Sequence, residues 1–224
     1  MPTLPLDVQR YMPASVLMDH GTSWWIMGGD SFADGFLDST VIWNGVTTRP
    51  GPQFGVGQRS ACAVRVNETT VFLGGGTSAT ENFLASAYLY TWPSGPSVRL
   101  PDMAQSRRHH NCEVVNGGKE VVVTGGFKGG WLGTTEIFSL ETMTWRSGPT
   151  ITSSTGELSD IGEASVRTRN GFRIAGGDLN GNVASNRVYE FDAGRYEWSR
   201  LDEMLVEKRE FHAVIALPDS DDYC

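Results

Sequence analysis

Residues 121–126 read VVVTGG, a β-prone run closed by two glycines. The same punctuation returns as WWIM before Gly28 and Gly29, VFL before Gly74 and Gly75, and FRIA before Gly176 and Gly177. The first glycines of these pairs are 46, 51 and 51 residues apart. A near-constant period of this length marks a repeat architecture, in which each unit is one supersecondary module that hides its apolar surface against its neighbour.

The rest of the unit recurs in phase. An aromatic closes a β-like run after each diglycine, at Trp43, Tyr90, Phe138 and Phe191, and in the last two copies a Trp follows seven residues later, at Trp145 and Trp198. Turns follow at Gly51, Leu100, Gly148 and Leu201, with Leu4 in the same phase. An Arg then introduces the next apolar run, at Arg10, Arg59, Arg107 or Arg108, and Arg209. Each unit therefore holds three to four short segments rich in Val, Ile, Phe, Tyr and Thr between Gly, Asn, Ser and Pro, which reads as strands joined by tight turns. The fold class is all-β. Four-stranded units with two apolar faces must stack around an axis, which is a β-propeller.

Composition limits the functions available. The 224 residues carry 26 acidic and 18 basic side chains, a net charge of −8. Nucleic-acid affinity comes largely from clustered Lys and Arg, so no nucleic-acid partner is expected. No apolar run approaches the roughly 20 residues that span a bilayer, so no membrane partner is expected either. Three cysteines, Cys62, Cys112 and Cys224, contain no C-x-x-C pair. Their odd, sparse number predicts reduced thiols and a cytoplasmic setting. Asn67-Glu68-Thr69 is a glycosylation sequon.

Taken together, the diglycines, aromatics, tryptophans and arginines at a period near 50 resemble the kelch repeat, over essentially the whole chain from Leu4 to Leu217. The resemblance implies a kelch-type propeller of four four-stranded blades, with repeats at about 4–50, 51–99, 100–147 and 148–200. One strand of a fifth follows in 201–217, with a tail at 218–224. Kelch propellers usually close with six or seven blades, so the ring is expected to be incomplete, either a fragment of a larger propeller or one completed by a partner or homodimer. The glycines Gly28, Gly29, Gly74, Gly75, Gly125, Gly126, Gly176 and Gly177 are expected to be structural. Kelch relatives dock peptides or proteins on one face, through the arginines that begin inner strands and the loops after the diglycine. Carried onto this sequence, that gives partner-binding candidates Arg59, Arg108, Arg209, Phe127 and Trp131, with Arg10 and Arg107 beside them and exposed aromatics Phe32, Phe36 and Phe83. Guanidinium groups hold carboxylates through paired hydrogen bonds, so the expected partner bears an acidic motif. The family includes ubiquitin-ligase substrate receptors and actin-associated scaffolds, so an adaptor or scaffold is implied.

Catalytic patterns are missing. There is no H-E-x-x-H, G-x-S-x-G or paired C-x-x-C. Some kelch-type propellers are metal-dependent oxidases or sugar-modifying enzymes, the alternative reading, but the four His do not supply a convincing ligand set. No catalytic residue, metal or cofactor is expected. His109 and His110 would face opposite ways on a strand. Asp178-Leu179-Asn180-Gly181-Asn182 reads as a tight Asn-Gly turn. Cys62 and Cys112 lie 12 and 13 residues before their diglycines, at matching places in two units, which predicts buried small apolar packing.

Overall fold

Runs such as VVVT lack the apolar-polar alternation of a half-exposed strand, and the reason is that a neighbour covers each face. In the computed structural model, which describes residues 9–93, 97–151, 165–177, 184–201 and 205–209, such runs form the second strands of four four-stranded antiparallel sheets. Blade 1 is β1 (Ala14–Met18), β2 (Ser23–Met27), β3 (Thr40–Trp43) and β4 (Thr48–Pro50). Blade 2 is β5 (Cys62–Asn67), β6 (Thr70–Gly74), β7 (Ala87–Thr91) and β8 (Ser97–Arg99). Blade 3 is β9 (Asn111–Val115), β10 (Glu120–Thr124), β11 (Thr135–Ser139) and β12 (Thr144–Ser147). Blade 4 is β13 (Ser165–Thr168), β14 (Gly171–Ala175), β15 (Val188–Asp192) and β16 (Glu197–Arg200). Among the described residues the only helical pieces are single turns at Asp19–Gly21 and Asn116–Gly118. The expected fifth-unit strand Phe211–Leu217, the tail and the loop Asp178–Asn182 lie outside the described residues.

The first strands β1, β5, β9 and β13 are successive neighbours, and three apolar layers fill the spaces between blades. Trp25, Met27 and Ile42 of blade 1 pack on Val71, Leu73 and Tyr90 of blade 2. Val64 and Phe72 meet Val114, Val121 and Phe138 of blade 3, and Val122 and Ile137 meet Phe172, Ile174 and Phe191 of blade 4. Each fully buried large side chain of this kind contributes roughly 1.5–3 kcal/mol. The two repeat tryptophans close their layers from outside. Trp145 lies 5.0 Å from Phe138 and Trp198 lies 5.1 Å from Phe191, ring centre to ring centre, and their Nε1 groups donate to the Pro101 carbonyl and the Thr135 hydroxyl. In blades 1 and 2 the strand partners of Trp43 and Tyr90 are Thr48 and Ser97, and the outer strands there are one residue shorter.

Strand pairing corrects the diglycine of blade 2. Trp24 pairs with Trp43, Val121 with Phe138 and Phe172 with Phe191, each first residue lying four before a glycine with positive φ. Val71 pairs with Tyr90, so the equivalent pair is Gly75–Gly76, with φ +66° and +101°, and not Gly74–Gly75. Gly74 ends β6. Three consecutive glycines hide this offset from the sequence.

The same offset explains a second correction. Cys62 and Cys112, expected to be reduced, form a disulfide between β5 and β9, the innermost strands of blades 2 and 3. Counting from the positive-φ glycines places both 13 residues upstream. On the strands, however, Cys62 pairs with Gly74, one residue before its glycine pair, while Cys112 pairs with Val123, two before. A one-residue slip turns a side chain to the other face of a sheet. Cys62 therefore faces blade 3, Cys112 faces blade 2, and the two meet in the layer between them. With these thiols joined, the ground for a cytoplasmic setting is lost.

Gly126 has φ +92°, and a Cβ there would sit 2.6 Å from the Arg108 carbonyl oxygen and 2.8 Å from the His110 Cβ. Gly126→Ala should cost about 2 kcal/mol or more, lowering Tm by roughly 4–8 °C. Gly130→Ala, which meets nothing within 4 Å, should leave Tm nearly unchanged. Opening the disulfide, which closes a 50-residue separation, should cost about 4 kcal/mol by chain entropy. In urea titrations, reductant should lower the midpoint of the natural chain but not that of a Cys62→Ala plus Cys112→Ala variant.

Candidate docking face

At one end of the disc the backbone repeats a closed three-way hydrogen-bond circuit. The second glycine N–H donates to the carbonyl of a residue entering the next blade: Gly29 to Gln58 (2.8 Å), Gly76 to Arg107 (2.8 Å) and Gly177 to Arg209 (3.0 Å). The entering residue's N–H donates to a loop carbonyl, that of Leu37, Leu84 or Ser185. The same loop residue donates its N–H back to the glycine carbonyl. Three N–H and three C=O groups per circuit are satisfied in this way, and no side chain is needed for any of them.

This circuit sorts the arginines. Arg107 and Arg209 enter it directly, and Arg10 holds the corresponding place at the head of blade 1. The Arg107 guanidinium turns inward and donates to the carbonyls of Gly125 (2.7 Å) and Thr134 (3.1 Å), and pairs with Glu136 at 2.9 Å. It is fully buried, and burial lowers its pKa against the opposing pull of Glu136. Arg10 likewise donates to the Gly28 and Ser39 carbonyls, both at 2.9 Å. Arg107 thus ties blade 2, which its main chain contacts, to blade 3, while the bonds of Arg10 brace the loops of blade 1. Arg209 belongs to their position, although its half-exposed side chain lies 3.8 Å from Glu207. It is not brought together with Arg59 and Arg108.

Arg59 and Arg108 stand one residue further along, with Tyr11 as their equivalent in blade 1. Each is bridged to the residue after a diglycine: Tyr11 to Asp30, Arg59 to Thr77 and Arg108 to Phe127. The next residues, Met12, Ser60 and His109, all take the left-handed backbone conformation, with φ 50°, 55° and 53°. That turn ends the loop and leads into the inner strand, leaving the preceding side chain on the outer face. Arg59 there lies 5.3 Å over Phe36 and 5.9 Å from Tyr11, and is paired with Asp30. Arg108 lies 5.2 Å over Phe83 and 5.5 Å over Phe127. Phe127 is 6.0 Å from Phe83 and stacks edge-on with Trp131 at 5.3 Å. The result is two equivalent clusters of a cation on aromatic rings at successive blade entrances, together the arginine-aromatic ladder, each contact worth about 0.5–2 kcal/mol.

The repeat supplies its own comparison. Asp30, which neutralises Arg59, is the second residue after the first glycine of blade 1. Thr77 occupies that place beside Arg108, buried and donating its hydroxyl to the Asn82 carbonyl. No carboxylate lies within 4 Å of Arg108 among the described residues. At the blade 1 end, Phe32 is fully exposed beside a cleft of about 570 Å3 lined by Tyr11, Asp30 and Arg59. Of the five sequence candidates, Arg108, Phe127 and Trp131 come together in one cluster with Phe83, while Arg59 stands in a second, equivalent cluster with Tyr11, Phe36 and Asp30. Tyr11 and Asp30 escaped the sequence reading. Tyr11 could have been found by its position one residue after Arg10, as Arg108 follows Arg107.

His110 does not join this face. Its ring lies under Gly75 in the layer toward blade 2, where burial and then the Arg107 charge push its pKa down to about 3. Among the described residues no group of three or more His, Cys, Asp or Glu side chains could hold a metal ion. No described helix is long and apolar enough to cross a membrane.

Residues 108–152, which take in blade 3 from Arg108 onward, match the family model of the Kelch motif. The kelch-repeat resemblance is thus shown on that blade, and the four antiparallel four-stranded sheets are those of a kelch-type β-propeller. No curated protein matches the chain.

His110 gives a pH test of this packing. The unfolded chain binds a proton there as pH drops below about 6.5, whereas the native state resists until about 3. The native state's advantage is therefore complete above pH 6.5 and falls by up to about 1.4 kcal/mol per pH unit toward pH 3. His110→Leu should flatten the slope of unfolding free energy between pH 6 and pH 4 by about that amount, whatever its absolute stability.

Proposed function

We propose that this chain is a non-catalytic interaction module that docks a protein or peptide on the arginine-aromatic ladder and serves as an adaptor or scaffold. Kelch motifs build β-propeller interaction modules in general, which supports the broad class. The acidic character of the partner rests on one observation: Arg108 is held between Phe83 and Phe127 with no carboxylate beside it among the described residues, where its repeat equivalent Arg59 has Asp30.

A cation clamped between rings has already given up part of its hydration and rotamer freedom. A carboxylate arriving there gains two parallel hydrogen bonds at a reduced ordering cost. The flanking Phe83, Phe127 and Trp131 add the aromatic surface common at binding hot spots. Arg59 contributes stacking surface, while its charge is spent on Asp30.

Binding can be read by fluorescence polarisation against matched acidic, neutral and basic peptide panels. Acidic peptides should bind best, and less tightly at high salt. Measured well below the unfolding midpoint, Arg108→Ala should weaken them tenfold or more, about 1.4 kcal/mol, while the loss of its two ring contacts lowers Tm by only a few degrees, and Arg59→Ala should have the smaller effect on binding. Equal binding of acidic peptides by the natural chain and Arg108→Ala would remove the reading.

A further inference from the structure

One sequence motif is not used by the docking face. Asn67-Glu68-Thr69 forms the turn between β5 and β6, and all three residues are exposed. A three-residue sequon can fall by chance anywhere, including inside a strand where no sugar could be accommodated. Here it falls at a hairpin tip. The register slips between Arg65 and Asn67, so the strand ladder releases the chain at the start of the motif.

Within the turn, the Asn67 Oδ1 accepts the Thr69 N–H at 2.9 Å and the Thr69 hydroxyl at 3.2 Å. The carboxamide is thus oriented by its oxygen alone. Its Nδ2, the atom that would carry a sugar, has no hydrogen-bond partner among the described residues. The surrounding side chains leave room: Glu68 is more than half exposed and has only loose ion contacts, at 3.8 Å to Arg65 and 3.9 Å to His20.

The second observation is independent of the motif. β5 begins at Cys62, and Cys62 is disulfide-bonded to Cys112. Disulfides of this structural kind form and persist in oxidising compartments and are rare where glutathione keeps thiols reduced. Asparagine-linked glycosylation is confined to the same secretory environment and to surface loops. One strand therefore carries, five residues apart, two features that require the same compartment.

We propose that Asn67 is an N-glycosylation acceptor and that the protein matures in an oxidising, secretory compartment. The donor class is an oligosaccharide linked to a lipid pyrophosphate. The Asn67 Nδ2 forms a bond to the anomeric carbon of the first sugar and loses one proton, the bond from that carbon to the pyrophosphate oxygen breaks, and the lipid pyrophosphate leaves with the electron pair. No oxidation or reduction is involved. The turn lies at the opposite end of β6 from Gly75 and Gly76, so a glycan there would stand on the other side of the disc from the arginine-aromatic ladder. The proposal does not depend on the docking reading.

The test uses the full natural protein isolated from its own cells. Digestion with peptide N-glycosidase should lower its mass and convert the Asn67 amide to a carboxyl, readable by peptide mass spectrometry. Asn67→Gln and Thr69→Ala, expressed in the same cells, should run at the digested mass, and Thr69→Ser should keep the modification. Because both cysteines are buried, alkylation is done in denaturant: without reductant it should leave Cys62 and Cys112 unlabelled, and both should label after reduction. A natural chain with no glycosidase-sensitive mass at Asn67 overturns the glycan site. Cys62 and Cys112 that label freely without reductant overturn the compartment.

Discussion

At the three places where the described residues complete it, the fold depends on one backbone constraint: a pair of glycines with positive φ lets the chain leave the second strand and close a hydrogen-bond circuit with the segment that enters next. Buried N–H and C=O groups must find partners, and here three of each find one another in every such circuit. Because the circuit is made of main chain, the side chains at its margin are released from structural duty. Arg10 and Arg107 use that freedom to reinforce the loop carbonyls from inside. Arg59 and Arg108, one residue later, lie outside with the aromatics. A single step along the chain separates a buried arginine that binds loop carbonyls from one stacked on aromatic rings, where the proposed partner would dock.

Much of this was legible in the sequence. The period near 50 gave the four sheets, and the aromatics Trp43, Tyr90, Phe138 and Phe191 prove to be equivalent residues, each paired four positions before a positive-φ glycine. Arg108, Phe127 and Trp131 were found as a group, because an arginine before a strand and rings after a diglycine are local signals. What failed to appear was register. Gly74, Gly75 and Gly76 are chemically identical, and only cross-strand pairing tells which two adopt the left-handed turn. Arg209 was grouped with Arg59 and Arg108 because spacing does not resolve a one-residue difference, whereas the hydrogen bond from Gly177 does.

The acidic partner we propose is likewise argued from the repeat and not from a motif. Equivalent positions in successive blades have the same backbone environment, so a difference between them isolates one side chain. Asp30 and Thr77 are such a pair, and they divide two otherwise similar cations into one neutralised by Asp30 and one with no counter-charge among the described residues.

The disulfide carries a consequence for how such a disc can be rearranged. Its sulfur atoms meet because the hairpin of blade 2 is one residue shorter than that of blade 3, which sets equivalent-looking cysteines on opposed faces. Repeat units are often treated as interchangeable parts, to be shuffled, duplicated or replaced by a consensus. Here, restoring equal hairpin lengths would turn both thiols the same way and abolish the staple, so the irregularity gives blades 2 and 3 a fixed order that a perfectly periodic chain would lack.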